Sequence, residues 1–382
     1  MKCIKCDADN KLKDRKANRG KCKNCRHEFA FDPKVMPGVD FTDKFFEQTI
    51  HNLSVNNSLF FTPGQFYFFF NQRRNAKKPN PLKVAGGCVL AAALALNVVL
   101  YVATGFSFVW FIPLLLVAAL ALALLVSPGL RRRLSGVKPQ ELGATQKEVE
   151  GWFDRWRKVN GDVAKLLRPP VQKEKTKNEA VQINPELRNY SFDRAVICDH
   201  AEIAQCLIAN NFHFEYNCAV LSIDGYPHEI FEAVMEMLRR NQNLSVYALH
   251  DASIRGVELT HTLSTNVQWF AGTFAKIYDL GLLPRQLFNR SVFIENTPQS
   301  AQTGTRNVPA HVAATLQPEE VRWLESGNFV VLESFSTQML MRSVAQGIAK
   351  SRDPNAGDAL VPVTTDGGRD GGVFIYAWDS FG

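Results

Sequence analysis

No charged residue occurs anywhere between Val84 and Leu130. Two spans of about 20 residues each fit into such a stretch, with a break near Ala103, Thr104 and Gly105. A transmembrane hairpin over 84–127 is therefore expected, and a buried soluble hairpin is the alternative. The N-terminal MKCIKCDADNKLKDRK has no apolar core, which argues against a secretory signal. There is no internal repeat and no phosphate-binding loop, because GGRDGG near the C-terminus is not followed by Lys-Ser or Lys-Thr and reads as a turn. Nor does a basic stripe run through the protein. The formal net charge is +7, yet residues 1–26 alone hold ten lysines and arginines against three aspartates, so the remainder is nearly balanced.

What is present begins with cysteine. Four of the eight cysteines form CIKC and CKNC, Cys3, Cys6, Cys22 and Cys25. Two CxxC turns at that separation place four thiolates about one zinc ion and hold together a piece too small to bury its own core. A structural zinc ribbon over 1–31 is expected, with His27 a bystander beside a complete ligand set. Lys21, Lys23 and Arg26 on this ribbon are candidates for nucleic-acid contact; the alternative is that its cations meet an acidic partner or only solvate the fold. The remaining cysteines lie in apolar or helical surroundings, as suits a reducing compartment.

Beyond a Pro/Gly linker, 41–78 reads as a small helical unit of helix-turn-helix or winged-helix type. Its first helix starts near Thr42, and its second is opened by Thr62 as N-cap with Pro63 at the first turn. FYFFF is apolar on every side, so one face packs on another domain or lies at a membrane surface. Lys and Arg flank the uncharged stretch on both sides (Arg73, Arg74, Lys77, Lys78 and Lys83 before it; Arg131, Arg132, Arg133 and Lys138 after it). By the positive-inside rule both flanks are cytosolic, which gives an inner-membrane protein with both termini in the cytosol. Residues 145–182 contain an amphipathic helix opened by the capping box Thr145/Glu148, then a polar linker. The aromatic face of that helix lies on the bilayer or packs on the protein.

From Asn184, short apolar strands alternate with amphipathic helices: RAVICD, CAVLSID and LSVYALHD, each followed by a helical pattern. This predicts a parallel α/β sheet with right-handed crossovers. Ligands in such sheets bind beyond the carboxyl ends of the strands, where Asp199, Asp224 and Asp251 fall. Each of these acids is equally a helix N-cap by its position. His200 and His250 stand beside two of them and suggest proton carriers or metal ligands, but neighbouring strand residues point to opposite faces, which favours surface or core histidines.

The run VLSIDGYPHEIFEAVMEMLRRNQNLSVYALHDASIRGVELTHTL, followed by FAKIYDLGLLPRQ, resembles the Toprim domain of the type IIB topoisomerase A subunit and of the meiotic double-strand-break protein. The shared order is a Gly-rich turn after strand two, an acidic corner after strand three, a helix, then Gly-Leu. The resemblance implies a Toprim-like domain over 184–285 with a C-terminal α+β extension over 286–382. It implies a metal-binding acid at Asp199, with Glu202 as a substitute, and the first corner acid at Asp251 with a possible magnesium ion. The second corner acid falls on Ser253, which supplies no charge. Close backbone approach falls to Gly225 and Gly256. The position of that family's tyrosine nucleophile falls on Phe68, with Tyr67 one residue away.

The expected protein is thus multidomain α/β: zinc ribbon, helical unit, membrane hairpin and a degenerate Toprim-like sheet domain. Its expected role is binding nucleic acid or a protein partner at the membrane, in a bacterial genome-maintenance or defence setting that the resemblance suggests. A metal-dependent DNA nuclease using Asp199, Glu202, Asp251 and Ser253 is the enzymatic alternative. A zinc-ribbon scaffold that recruits a complex is the third. Near Asp251 the only candidates for phosphate contact are Arg239, Arg240 and Arg255, a thin supply that favours binding over cutting.

Overall fold

The computed structural model describes residues 1–77, 91–92, 119, 140, 142–170, 192–288, 290, 292–296 and 307–351. The chain opens with two cysteine turns around a short helix α1 (Leu12–Ala17). Helices α2 (Asp43–Leu53), α3 (Pro63–Lys77) and α4 (Gln146–Asn160) follow. The α/β part then runs β1 (Arg194–Cys198), α5 (Ala201–Ala209), α6 (Phe212–Glu215), β2 (Ala219–Ser222), α7 (Phe231–Arg240), β3 (Ser245–Leu249), α8 (Ile254–Val257), α9 (Leu259–Thr265) and β4 (Lys276–Asp279). Beyond these come β5 (Glu295–Asn296), α10 (Ala310–Ala313), α11 (Pro318–Glu325), β6 (Asn328–Phe329) and α12 (Thr337–Lys350).

The four long strands form a sheet in the order β2-β1-β3-β4, parallel throughout. Both faces are covered, which is why the strands read as near-continuous apolar runs. Val196, Cys198, Tyr247 and Leu249 face one layer, which includes α5 and α12, while Ala195, Ile197, Val246 and Ala248 face the other, which includes α7 and α9. Successive strands leave β1 on opposite sides, so the order reverses between β1 and β3.

Helices α2, α3 and α4 build one aromatic body. Phe31, Phe41, Phe46, Phe66, Phe70, Trp152, Phe153 and Trp156 are buried together, several with ring centroids about 5 Å apart. The FYFFF helix spends its faces here: Phe66 and Phe70 point into this core, whereas Phe68 packs on Phe293 of the α/β part. The aromatic stripe of α4 is therefore covered by protein. Thr145 caps α4 as the capping box requires, its Oγ1 accepting from the Glu148 amide at 3.3 Å while Glu148 accepts from the Thr145 amide at 2.7 Å. Thr145→Ala should cost about 1 kcal/mol of stability, read as a lowered urea midpoint with unchanged slope.

The helical body is locked to the sheet domain. Gln65 accepts from Thr337 and donates to the Phe335 carbonyl, and the Asn210 side chain bonds both backbone groups of Phe60. At the ribbon end, buried Arg15 and Asp32 form a two-point ion pair at 2.6 and 3.1 Å.

The expected inner-membrane location needs correction. A span requires about 20 apolar residues, but among the described residues no helix is long and apolar enough to cross a membrane; the longest, α3 and α4, carry several charges. The hairpin expected over 84–127 lies outside the described residues apart from Ala91, Ala92 and Ala119. The linker from 171 to 191 and the final strand expected within 352–382 also lie outside them.

Candidate metal centres

Two clusters of metal-ligating side chains occur among the described residues: Cys3, Cys6, Cys22 and Cys25, and Asp199, His200 and Asp251. In the first, the same turn is used twice. The Cys3 amide donates to Ala8 and the Cys22 amide to His27, and both turns close through a positive φ, at Asp7 and at Arg26. Sulfur separations are 3.6 Å for Cys3 to Cys25 and for Cys6 to Cys22. Four thiolates about 2.3 Å from one centre would stand about 3.8 Å apart, so the arrangement can hold a metal ion such as zinc. Buried Asn10 supports it from behind, donating to the Cys22 sulfur at 3.4 Å and accepting from the Lys23 amide. His27 is buried but outside the cluster.

The second cluster occupies the crevice where the strand order reverses. Such a reversal leaves a gap beyond the strand ends that helices do not fill, and ligands enter there. Asp199 follows β1, Asp251 follows β3, and both are almost wholly buried. The Asp251 amide donates to Asp199 Oδ2 at 2.7 Å. Asp251 Oδ1 accepts from the Leu332 amide at 2.6 Å, and its Oδ2 stands 3.2 Å from His200 Nε2. Asp199 Oδ1, however, is buried without any hydrogen-bond partner.

Burial, reinforced by the Asp251 charge, pushes Asp199 up to about 6. His200 is raised as well, which favours its charged form: its contact with Asp251 lifts it to about 9, against the cost of partial burial. Further carboxylates face the same region. Glu333, pushed up by burial although Thr62 donates to it, feels Glu202 and Asp251; Glu295 is raised by burial and then by Asp251.

No family model, no curated protein and no solved structure matches this chain.

Other candidates named from the sequence are spent on the protein's own structure. Ser253 caps α8, accepting from the Gly256 amide at 3.0 Å. Asp224 is exposed and paired with Arg255 at 2.8 Å, so it stands apart from the buried acids. Arg239 donates to the carbonyls of Gln268 and Trp269, and Arg240 pairs with Glu236. Glu202 sits half-buried in the first turn of α5. Lys21, Lys23 and Arg26 are exposed on the ribbon.

His250 is a core histidine with both ring nitrogens engaged. Nδ1 lies 2.8 Å from the Asp251 carbonyl and Nε2 3.0 Å from Asp279. Burial alone would lower its pKa, but the charge and hydrogen bond of Asp279 outweigh that and raise it to about 9. The ring fits only because position 281 has no side chain: a Cβ there would lie 2.2 Å from the imidazole. Gly281→Ala should therefore destabilise the fold by about 1–3 kcal/mol, measurable as a lowered denaturant midpoint. Gly256 is constrained likewise, since a Cβ would meet the Asp251 carbonyl at 2.1 Å.

His200 is the crevice residue that sequence reasoning assigned elsewhere. It follows the end of β1, in an N-cap conformation where strand alternation has stopped, so it shares a side with Asp251. Glu295 and Glu333 had no local signal. Both line a cleft of about 670 Å³ with Tyr67, Phe68, Thr145 and Glu148, between the helical body and the sheet domain.

Proposed function

We propose that the crevice holds a divalent metal ion through Asp199, Asp251 and His200 and serves the hydrolysis of phosphate esters, with DNA phosphodiesters the first substrate to try. The observation that carries this reading is the orphaned Asp199 Oδ1. A buried carboxylate oxygen without a partner costs about 1–3 kcal/mol, and a cation beside it removes that cost and the repulsion from Asp251. Two carboxylates with an imidazole suit manganese or zinc as well as magnesium. Such an ion would polarise a phosphoryl oxygen and acidify a bound water. Glu333, its pKa raised by burial, would be the group to take a proton from that water. The Toprim-like order of acids and turns supports the reading. In the ribbon, we infer that the four thiolates hold zinc as a structural ion.

A second reading has its own observation. Both Asp251 oxygens are already engaged, one of them pinning the Leu332 amide, and Ser253 is a helix cap. Such a crevice could bind nucleic acid or a protein partner without cutting.

Nicking of supercoiled DNA with added magnesium or manganese separates the two. Asp199→Asn is the informative variant, because Asp199 Oδ1 is the atom without a partner, whereas both Asp251 oxygens are engaged. Manganese-dependent nicking lost in Asp199→Asn supports hydrolysis. No nicking by a folded wild type sinks it and leaves binding.

A further inference from the structure

We infer that the face of the ribbon formed by α1 and the second cysteine turn binds the phosphate backbone of a nucleic acid. The ribbon is two-sided in charge. On the first turn, Asp7 takes Lys2 and Lys44, and Asp9 takes the N-terminal amine, so most of the positive charge there is matched. The second turn lies against α1: Lys23 Nζ reaches Asp14 at 3.2 Å, and Arg26 donates to the Asn18 side chain at 3.0 Å at the end of that helix. These contacts gather Lys13, Lys16, Arg19, Lys21, Lys23 and Arg26 on adjoining elements, and all six are exposed. Among the described residues, Asp14 with Lys23 is the one ion pair within this group.

The kind of partner follows from what accompanies the charge. Protein interfaces are anchored by buried aromatic or apolar side chains, whereas phosphate contacts need only cations at reach. None of the large exposed apolar residues among the described ones lies within residues 1–31; the nearest is Val35. A polyanion held by charge alone fits that face better than an acidic peptide. The crevice itself is acidic, and Arg239, Arg240 and Arg255 already have partners, so without a bound cation it attracts phosphate less than the ribbon does. This inference stands without the crevice being catalytic; if the crevice does cut phosphodiesters, the ribbon holds the strand that it cuts.

The test is fluorescence anisotropy of the full, zinc-loaded chain with a labelled DNA duplex of arbitrary sequence and no added divalent metal. Six phosphate contacts predict a slope of about −5 in log affinity against log salt, so about a 10³-fold loss between 50 and 200 mM salt. Lys13→Glu/Lys16→Glu/Lys21→Glu should flatten that slope to about −3 and abolish measurable binding at 200 mM, with zinc content unchanged. Lys2→Glu/Lys5→Glu on the opposite turn should leave the slope intact. Absence of wild-type binding at 50 mM salt overturns the inference, as does equal binding by the triple variant. Tighter binding to a polyglutamate peptide or to phosphatidylserine vesicles than to the duplex overturns it in favour of that partner. None of these outcomes depends on the crevice, so failure here is distinct from failure of the nicking assay.

Discussion

Asp199→Asn is expected to make the protein more stable at neutral pH and, at the same time, to abolish its response to manganese. Burial and the Asp251 charge raise the folded-state pKa of Asp199 from 3.8 to about 6. Between those values the folded state binds more protons than the unfolded one, so stability falls as pH rises from about 4 to about 6 and stays low above that. An asparagine has no proton to lose: its oxygen can keep the Asp251 amide, and the orphaned charge is gone. The gain at pH 7.5 should be about 1–3 kcal/mol, and it should vanish near pH 4. Wild type should recover a similar amount from manganese, about 2.7 kcal/mol at a hundredfold excess over Kd, whereas the variant recovers none. Thermal melts of both proteins at pH 4 and 7.5, with and without manganese, check every part. A wild type that melts at the same temperature with manganese as without it removes the metal from the crevice.

The largest effect belongs to the ribbon. Zinc in a four-thiolate site contributes about 10–16 kcal/mol of apparent folding free energy in isolated small domains at neutral pH. Cys22→Ser should therefore unfold the two cysteine turns and α1 locally, since Cys22 is wholly buried and also accepts from Asn10. Arg15 would go with it, leaving Asp32 in the remaining body without its guanidinium, at a further cost of about 3–5 kcal/mol. The parallel sheet does not depend on these contacts. Limited trypsin digestion, with zinc measured in parallel, should show cleavage among the lysines between Lys11 and Lys23 while the 192–288 region resists. Ribbon protection equal to wild type after loss of the metal would show that protein packing alone holds this segment.

How legible these features were depended on how local their causes are. CxxC spacing specifies a ligand set within a short loop, and the sulfurs meet as that spacing requires. Strands β1, β2 and β3 and the helices after them followed from apolar runs and capping residues, whereas β4, with its exposed and half-buried residues, was not read as a strand. The order β2-β1-β3-β4 did not, because crossovers leave no local trace, although Asp199 and Asp251 were both expected at the carboxyl ends of strands. The contact of half-exposed His200 with Asp251 was hidden because strand alternation stops at the end of β1. The aromatic stripes of α3 and α4 were compatible with lipid or with protein, and only tertiary packing decides between partners of equal apolarity. The membrane location inferred from missing charge is the expectation overturned outright. Glu333 joins the crevice from 82 positions beyond Asp251, by a contact no spacing rule reaches.

The way α3 and α4 meet has a practical corollary. Asn71 accepts from the amides of Gly143 and Ala144, and Arg74 donates to the Gly143 carbonyl, so the chain leaves the helical body and re-enters it at neighbouring points. The described chain is thus pinned to itself where it breaks off after α3 and where it resumes before α4. Closing a shorter loop across the same two points costs less entropy than closing the long one. A few glycines and serines in place of 84–130 would join points that the body already holds together, and crevice, cleft and ribbon should keep their fold.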